Sequence, residues 1–227
     1  MIKGRSVPAL DQFRQFAVNA LGTDDIQWLP LFDFQLYAAA GQQNLTFFSQ
    51  QIGAGTTSHP GGAGPKTIAD TNMTLSGQIP APQKFMVCGI ELVFWSGLNP
   101  GRGPVAQNTV GQMWNDVMAV ARGGSLTFTI GQKIYCQDAP LGSFAQQTAL
   151  DGIAAVADAT TAGANLLDQV EYAAIRGAVY QVPPQVIPNG QNFNVTLAWP
   201  NVIALPSANA TSRIGVKLLG WQSRAVQ

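Results

Sequence analysis

Charge is the first thing this chain is short of. Of its 227 residues only 11% are Asp, Glu, Lys or Arg, and 12 basic side chains balance 12 acidic ones, so the formal net charge is zero. Sequence-independent nucleic-acid binding draws its affinity from Lys and Arg that neutralise phosphates. Here the seven Arg and five Lys are scattered singly, which argues against direct nucleic-acid binding. Zero net charge also removes colloidal repulsion and favours self-association. Histidine is scarcer still, with His59 alone in the chain. A zinc site would then need cysteines and carboxylates for its other ligands, and neither cysteine has a CxxC or HxxxH neighbour.

Cysteine is nearly absent too. Cys88 and Cys136 both lie in apolar alternating segments, where a buried free thiol is the preferred reading and a disulfide the sharper one. Long apolar runs are missing: no window of about 18 apolar residues exists, and the first 22 residues hold no uninterrupted apolar stretch, so neither a membrane-spanning helix nor a signal peptide is expected. Synthesis in a cytoplasm follows as the expectation, and Asn-x-Ser/Thr matches such as Asn44-Leu-Thr46 are chance.

What the chain does have is amides and short apolar runs. Its 22 Gln and 12 Asn outnumber the 24 charged side chains, a balance that suits hydrogen-bonded surfaces in contact with other protein. With 46% hydrophobic residues the chain is globular. The N-terminal segment reads as an amphipathic helix, with Leu10, Phe13, Phe16 or Ala17, and Leu21 on one face and Gly22 as its stop. From Ile26 onward the pattern changes to short runs of Phe, Val, Ile, Leu and Thr bounded by Gly, Pro, Asn and Ser, the signature of strands. Strands are expected near 31–38, 44–51, 67–76, 84–95, 125–136, 152–160, 168–175, 178–187, 191–199 and 213–222. One internal helix, Val110 to Arg122, carries an apolar stripe and is stopped by Gly123-Gly124.

Strands and helices do not alternate regularly, so βαβ units are not expected and the expected fold class is all-β: an antiparallel β-sandwich, by strand count a jelly roll, with an N-terminal helix and one inserted helix. Residues 1–25 are read as a helical arm and 26–227 as a single sandwich domain. Gly/Pro-rich loops at 53–66, 97–107 and 138–144 are expected at its ends, exposed or between subunits.

Catalytic constellations do not stand out. The loop Gly61-Gly62-Ala63-Gly64-Pro65-Lys66-Thr67 superficially resembles a phosphate-binding loop, but Pro65 breaks the Gly-Lys adjacency and removes an amide donor. His59 lies in a Gly-rich loop without a G-x-S-x-G elbow anywhere, so an exposed loop histidine is preferred. Glu91, an acid inside an apolar strand, must point to the solvated face or be paired; alternation makes the first reading sufficient. Asp151, Asp158 and Asp168 match no calcium-loop spacing. Trp28, Trp95, Trp114, Trp199 and Trp221 are placed in the core or at subunit interfaces in preference to a sugar-stacking platform. No catalytic, cofactor-binding or metal residue is assigned, no cofactor is expected, and the chain is read as a non-enzyme.

The runs Leu45-Thr46-Phe47-Phe48, Ala69-Asp70-Thr71-Asn72-Met73, Gln78-Ile79-Pro80-Ala81-Pro82, Ser125-Leu126-Thr127-Phe128-Thr129-Ile130-Gly131 and Ala139-Pro140-Leu141-Gly142 resemble those of phage and prophage proteins. Taken with the sandwich reading, the chain is similar to jelly-roll major capsid proteins of tailless icosahedral bacteriophages. The resemblance implies a single-roll structural subunit that assembles into trimers or other capsomers and tiles a virion shell, sometimes over an internal membrane. Copies of itself and other virion proteins are then its partners, and the virion is its location. Leu10, Phe13 and Phe16 are the candidate assembly contacts, since a helix of roughly 14 residues is marginal alone and better suited to docking. The alternative is a carbohydrate- or receptor-binding β-sandwich module of a phage spike or lectin-like protein. Such a module groups its exposed aromatics in one groove, whereas a shell subunit spreads apolar contacts around its flanks.

Overall fold

The computed structural model describes residues 10–23, 25–59, 62–97, 109–144, 152–158, 166–172, 180–207 and 211–224, with the backbone alone for 10–13, 109–114, 152–158 and 166–172. Helix α1 (Leu10–Leu21) leads into β1 (Ile26–Tyr37), followed by β2 (Asn44–Phe47), a long excursion, and β3 (Phe85–Trp95). Helix α2 (Thr109–Gly123) precedes the hairpin β4 (Ser125–Ile130) and β5 (Lys133–Pro140) and a 3-10 turn (Leu141–Ser143). The chain continues through β6 (Gly152–Asp158), β7 (Leu166–Tyr172), β8 (Tyr180–Ile187), β9 (Phe193–Ala198) and β10 (Ser212–Ser223).

Two four-stranded antiparallel sheets result, one in the order β1-β10-β3-β8 and the other β2-β9-β4-β5, while β6 and β7 pair as a separate ribbon. Alternation explains their facing. In β4 and β9 every second residue is buried, so Leu126, Phe128 and Ile130 meet Phe193, Val195 and Leu197 on the inner face. There they join Ile90, Leu92, Phe94, Ile214, Val216 and Leu218 of the other sheet in one core. Each such side chain contributes about 1.5–3 kcal/mol through burial. The fold is a β-sandwich with few helices.

β3 is buried on both faces except at half-buried Cys88 and exposed Trp95, because its outer face is also covered. Ala17 and Leu21 of α1 pack on Met86, Ile26 and Trp221 in a second, smaller apolar cluster outside the sandwich. Helix α2 is fastened differently: Trp199 donates from Nε1 to the Val120 carbonyl at 2.8 Å, and Val117 and Val120 enter the main core. At Gly220 the backbone of β10 comes so close to β3 that a Cβ would lie 1.9 Å from the Met86 carbonyl oxygen, at a register shift between the two strands.

Several expected boundaries move. No strand forms over 67–76. Thr71 makes only an isolated bridge to Asp33, because the side chains of Asp70, Thr71 and Asn72 turn back onto backbone groups that a strand would pair. The expected single strand 125–136 is two strands, folded back at Gly131 with φ +61°. The expected loop 138–144 is the end of β5 and the 3-10 turn. β2 stops at Phe47, since Phe48 takes φ +65°. Of the 97–107 loop only Gly97 is described, and 159–160, 173–175 and 178–179 lie outside the described residues. Among the described residues no helix is long and apolar enough to cross a membrane.

Candidate functional site

The richest polar chemistry gathers where the β2–β3 excursion returns along the free edge of β1. Two backbone hydrogen bonds stitch it there, Phe34 N to Asp70 O at 2.8 Å and Asn72 N to Phe32 O at 3.4 Å. Asn72 adds a side-chain pair, accepting from Phe32 N and donating to Pro30 O. An edge strand invites pairing with other chains unless it is covered, and this stitch covers part of β1.

Asp70 is the hub. Its carboxylate is fully buried and accepts from Thr67 N and Oγ1 at 2.7 and 2.9 Å, from Ser58 N and Oγ at 2.9 and 2.5 Å, and from Thr57 Oγ1 at 3.1 Å. Burial alone would raise its pKa. The hydrogen bonds from Ser58 and Thr67 more than offset that and hold the carboxyl well below the usual carboxylate range. Arg213 of β10 lies 3.8 Å away, donates from Nε to Ser58 Oγ at 2.7 Å, and donates from Nη2 to the Ala69 carbonyl. Its guanidinium sits 4.1 Å from the Phe34 ring centroid and 4.9 Å from that of Trp95, a cation–π arrangement.

His59 Nδ1 stands 3.2 Å from Asp70 Oδ1, with the ring half exposed. Serine, histidine and aspartate are therefore neighbours, yet their order is wrong for nucleophilic catalysis. A triad needs the serine hydroxyl on the histidine and the histidine on the acid. Here Ser58 is buried, donates directly to Asp70 and accepts from Arg213. The cluster works as a clamp that fixes the excursion to the sheet. The expected exposed loop histidine is half exposed but anchored, and the 53–66 loop is free only in part: Thr57, Ser58 and Lys66 are buried.

A second buried pair lies beside the clamp. Lys66 Nζ is 2.5 Å from Asp33 Oδ1, with both side chains at 2% exposure or less. Lys66 also donates to the Phe34 carbonyl at 3.0 Å, and the Phe48 amide donates to Asp33 Oδ2 at 2.7 Å. Burial raises the Asp33 pKa, outweighing the attraction of Lys66 and the hydrogen bonds from Lys66, Phe48 and Thr71. Asp116 of α2 is the third buried acid. It accepts from Ser96 Oγ at 3.0 Å and Ser207 N at 2.9 Å, joining the segments after β3 and before β10 to the helix.

Glu91 corrects its expected orientation. It is buried at 4% exposure and paired with Lys217 Nζ at 3.3 Å, its direct cross-strand neighbour. Applied to Leu31-Phe32-Asp33-Phe34, the same test of an acid in an apolar strand finds Asp33; Lys66 was hidden in a rejected phosphate-loop motif. Asp70 and Arg213 carried no such local signal. Cys88 and Cys136 are free and half-buried, and burial pushes the Cys88 thiol up to about 11.

The remaining expected positions separate by exposure. Trp199 and Trp221 are buried, whereas Trp28 and Trp95 are 52% and 39% exposed; the Trp114 side chain lies outside the described residues. Phe16 is 51% exposed, and Ala17 is the member of that pair which faces the sheet. The side chains of Leu10 and Phe13, and Asp151, lie outside the described residues; for Asp158 and Asp168 the backbone alone is described. Among the described residues no group of three or more His, Cys, Asp or Glu side chains could hold a metal ion. The chain matches no family model, no curated protein and no solved structure.

Proposed function

We propose that the chain is a jelly-roll structural subunit that self-assembles into capsomers and an icosahedral virion shell, without catalysis. The jelly-roll reading is supported by the pairing order. Within the sandwich β1 pairs with β10, β2 with β9, β3 with β8 and β4 with β5, the nesting of one long antiparallel ribbon folded at the β4–β5 turn. Rolling that ribbon brings β10 against β3 and β9 against β4, which closes both sheets.

The observation that carries assembly over the binding-module alternative is the scatter of exposed apolar side chains. Phe16 and Trp28 lie at α1 and the start of β1, Ile52, Ile68 and Leu75 on the β2–β3 excursion, Ile134 and Tyr135 on edge strand β5, and Val202 between β9 and β10. The exposed tryptophans do not make a sugar platform. Trp28 is opposite Trp221 and Trp95 opposite Arg213, so the strand rise separates them by roughly 26 Å, too far to grip one sugar ring. Trp95 stacks on Phe34 at 5.2 Å. Separate apolar places around a flank suit contacts with copies of the same chain and with other virion proteins.

Electron microscopy of the purified protein is the test. Rings, capsomers or closed shells are expected. A dispersed monomer that instead binds immobilised glycans or host cells would replace this reading with the binding-module one.

A further inference from the structure

We propose that Lys66 and Asp33 are a site of self-catalysed covalent cross-linking, joined in the mature protein by an isopeptide bond between Nζ and Cγ. The geometry supplies each part such a condensation needs. The amine lies 2.5 Å from one carboxyl oxygen, and neither side chain is open to water, which would otherwise solvate both charges and favour hydrolysis. The Phe34 carbonyl, accepting from Nζ at 3.0 Å, fixes the direction of the lysine. The Phe48 amide points at the other carboxyl oxygen at 2.7 Å, where negative charge would develop as the amine adds.

Phe48 reaches that position by adopting φ +65°, a conformation disfavoured for a bulky L-residue. An outlier of this kind is a pointer toward function when it aims a group at a reacting centre. A buried ion pair is also a poor stabiliser in itself, since desolvation offsets most of its attraction. Condensation removes both charges. Burial favours the neutral acid at Asp33, the form in which a carboxyl group can be attacked.

The step balances. A proton passes from Nζ to Oδ1 across their contact, leaving a neutral amine and a neutral acid. The nitrogen lone pair forms the bond to Cγ, and the carbonyl electron pair moves onto Oδ2 under the Phe48 amide. The tetrahedral carbon then re-forms its C=O bond and expels Oδ1, which takes a second proton from nitrogen and leaves as water. No oxidant, metal or cofactor is consumed. The product ties the β2–β3 excursion covalently to β1, across 33 positions of sequence, in a protein whose cysteines are free. This inference stands apart from the shell reading and does not depend on it.

Intact-mass spectrometry of the full chain tests it. The expected mass is lower than that of the sequence by one water, and a tryptic map should contain one branched species joining the Asp33 and Lys66 peptides, with no cleavage after Lys66. Lys66→Met and Asp33→Ala should each restore the full mass. An unmodified wild-type mass after prolonged incubation at neutral pH, with the Asp33 and Lys66 peptides separate, overturns the proposal whether or not those variants fold. So does a missing water that maps elsewhere, for instance to a succinimide at Asp151-Gly152.

Discussion

At the scale of single residues, four of the six acids whose burial is described lie inside this charge-poor chain. Asp33, Asp70, Asp116 and Glu91 are all buried, and each holds together segments distant in sequence. Asp70 gives the sharpest prediction. Its pKa is depressed in the fold, so it contributes stability that is present above the unfolded value of about 3.9 and is lost as pH falls below that. Asp33 as a free acid, with its pKa raised, would contribute in the opposite sense, and in the cross-linked form it would not titrate, so a comparison of variants is needed to isolate Asp70. Asp70→Asn leaves several buried donors underserved, and urea unfolding at pH 7 should show it destabilised by about 2–3 kcal/mol. The difference from wild type should shrink as pH falls below about 4, and a constant difference would mean that the carboxylate charge is not what the cluster needs. Glu91 stood out in the sequence as an acid inside an apolar strand, though it was read as solvent-facing, and the same test would have found Asp33, which the sequence reading passed over. The Asp70 cluster was not, because Ser58 and Arg213, 155 positions apart, meet only after the sheet forms.

At the scale of elements, strands with one buried face were readable wherever side chains alternate, as in β4 and β9. The 67–76 segment misled because Thr, Asn and Met suit a strand, while side-chain hydrogen bonds to the backbone compete with the ladder. A sequence pattern does not reveal which of the two wins. Nor does it reveal that β10 approaches β3 too closely for any side chain at Gly220. Gly220→Ala should cost about 3 kcal/mol or more, or abolish folding, with thermal melting as the check; a near-neutral result would mean that the register shift can move. Helix α1 buries one face on the sheet and leaves Phe16 exposed on the other, and on the proposed assembly reading that second face docks on a neighbour. Leu21→Ala should lower subunit stability by about 2–3 kcal/mol, since Leu21 is buried over the sheet. Phe16→Ser should leave the melting of the subunit within about 0.5 kcal/mol of wild type while weakening its association in sedimentation. If both substitutions act on folding alone, the helix is purely a lid on its own sheet and the arm reading fails.

At the scale of the whole molecule, composition pointed to contact with other protein, and the structure shows what is available for it. The described ion pairs lie chiefly inside the subunit: of the acids whose burial is described, only Asp25 and Asp138 are exposed, while large apolar side chains are exposed at several separate places. On the proposed assembly reading, contacts built from such a surface would be largely apolar. Salt screens exposed charges within about 10 Å at 0.1 M and about 3 Å at 1 M, but it does not weaken apolar burial, and sulfate or phosphate strengthens it. Light scattering should therefore show an oligomer, a trimer or larger, that persists from about 0.1 M to about 1 M NaCl and grows in ammonium sulfate. Dissociation by NaCl would place the association on charged contacts instead of apolar ones. A monodisperse monomer at high concentration under every salt condition would remove self-assembly as the role of the chain, and would return its exposed tryptophans to consideration as parts of a binding surface.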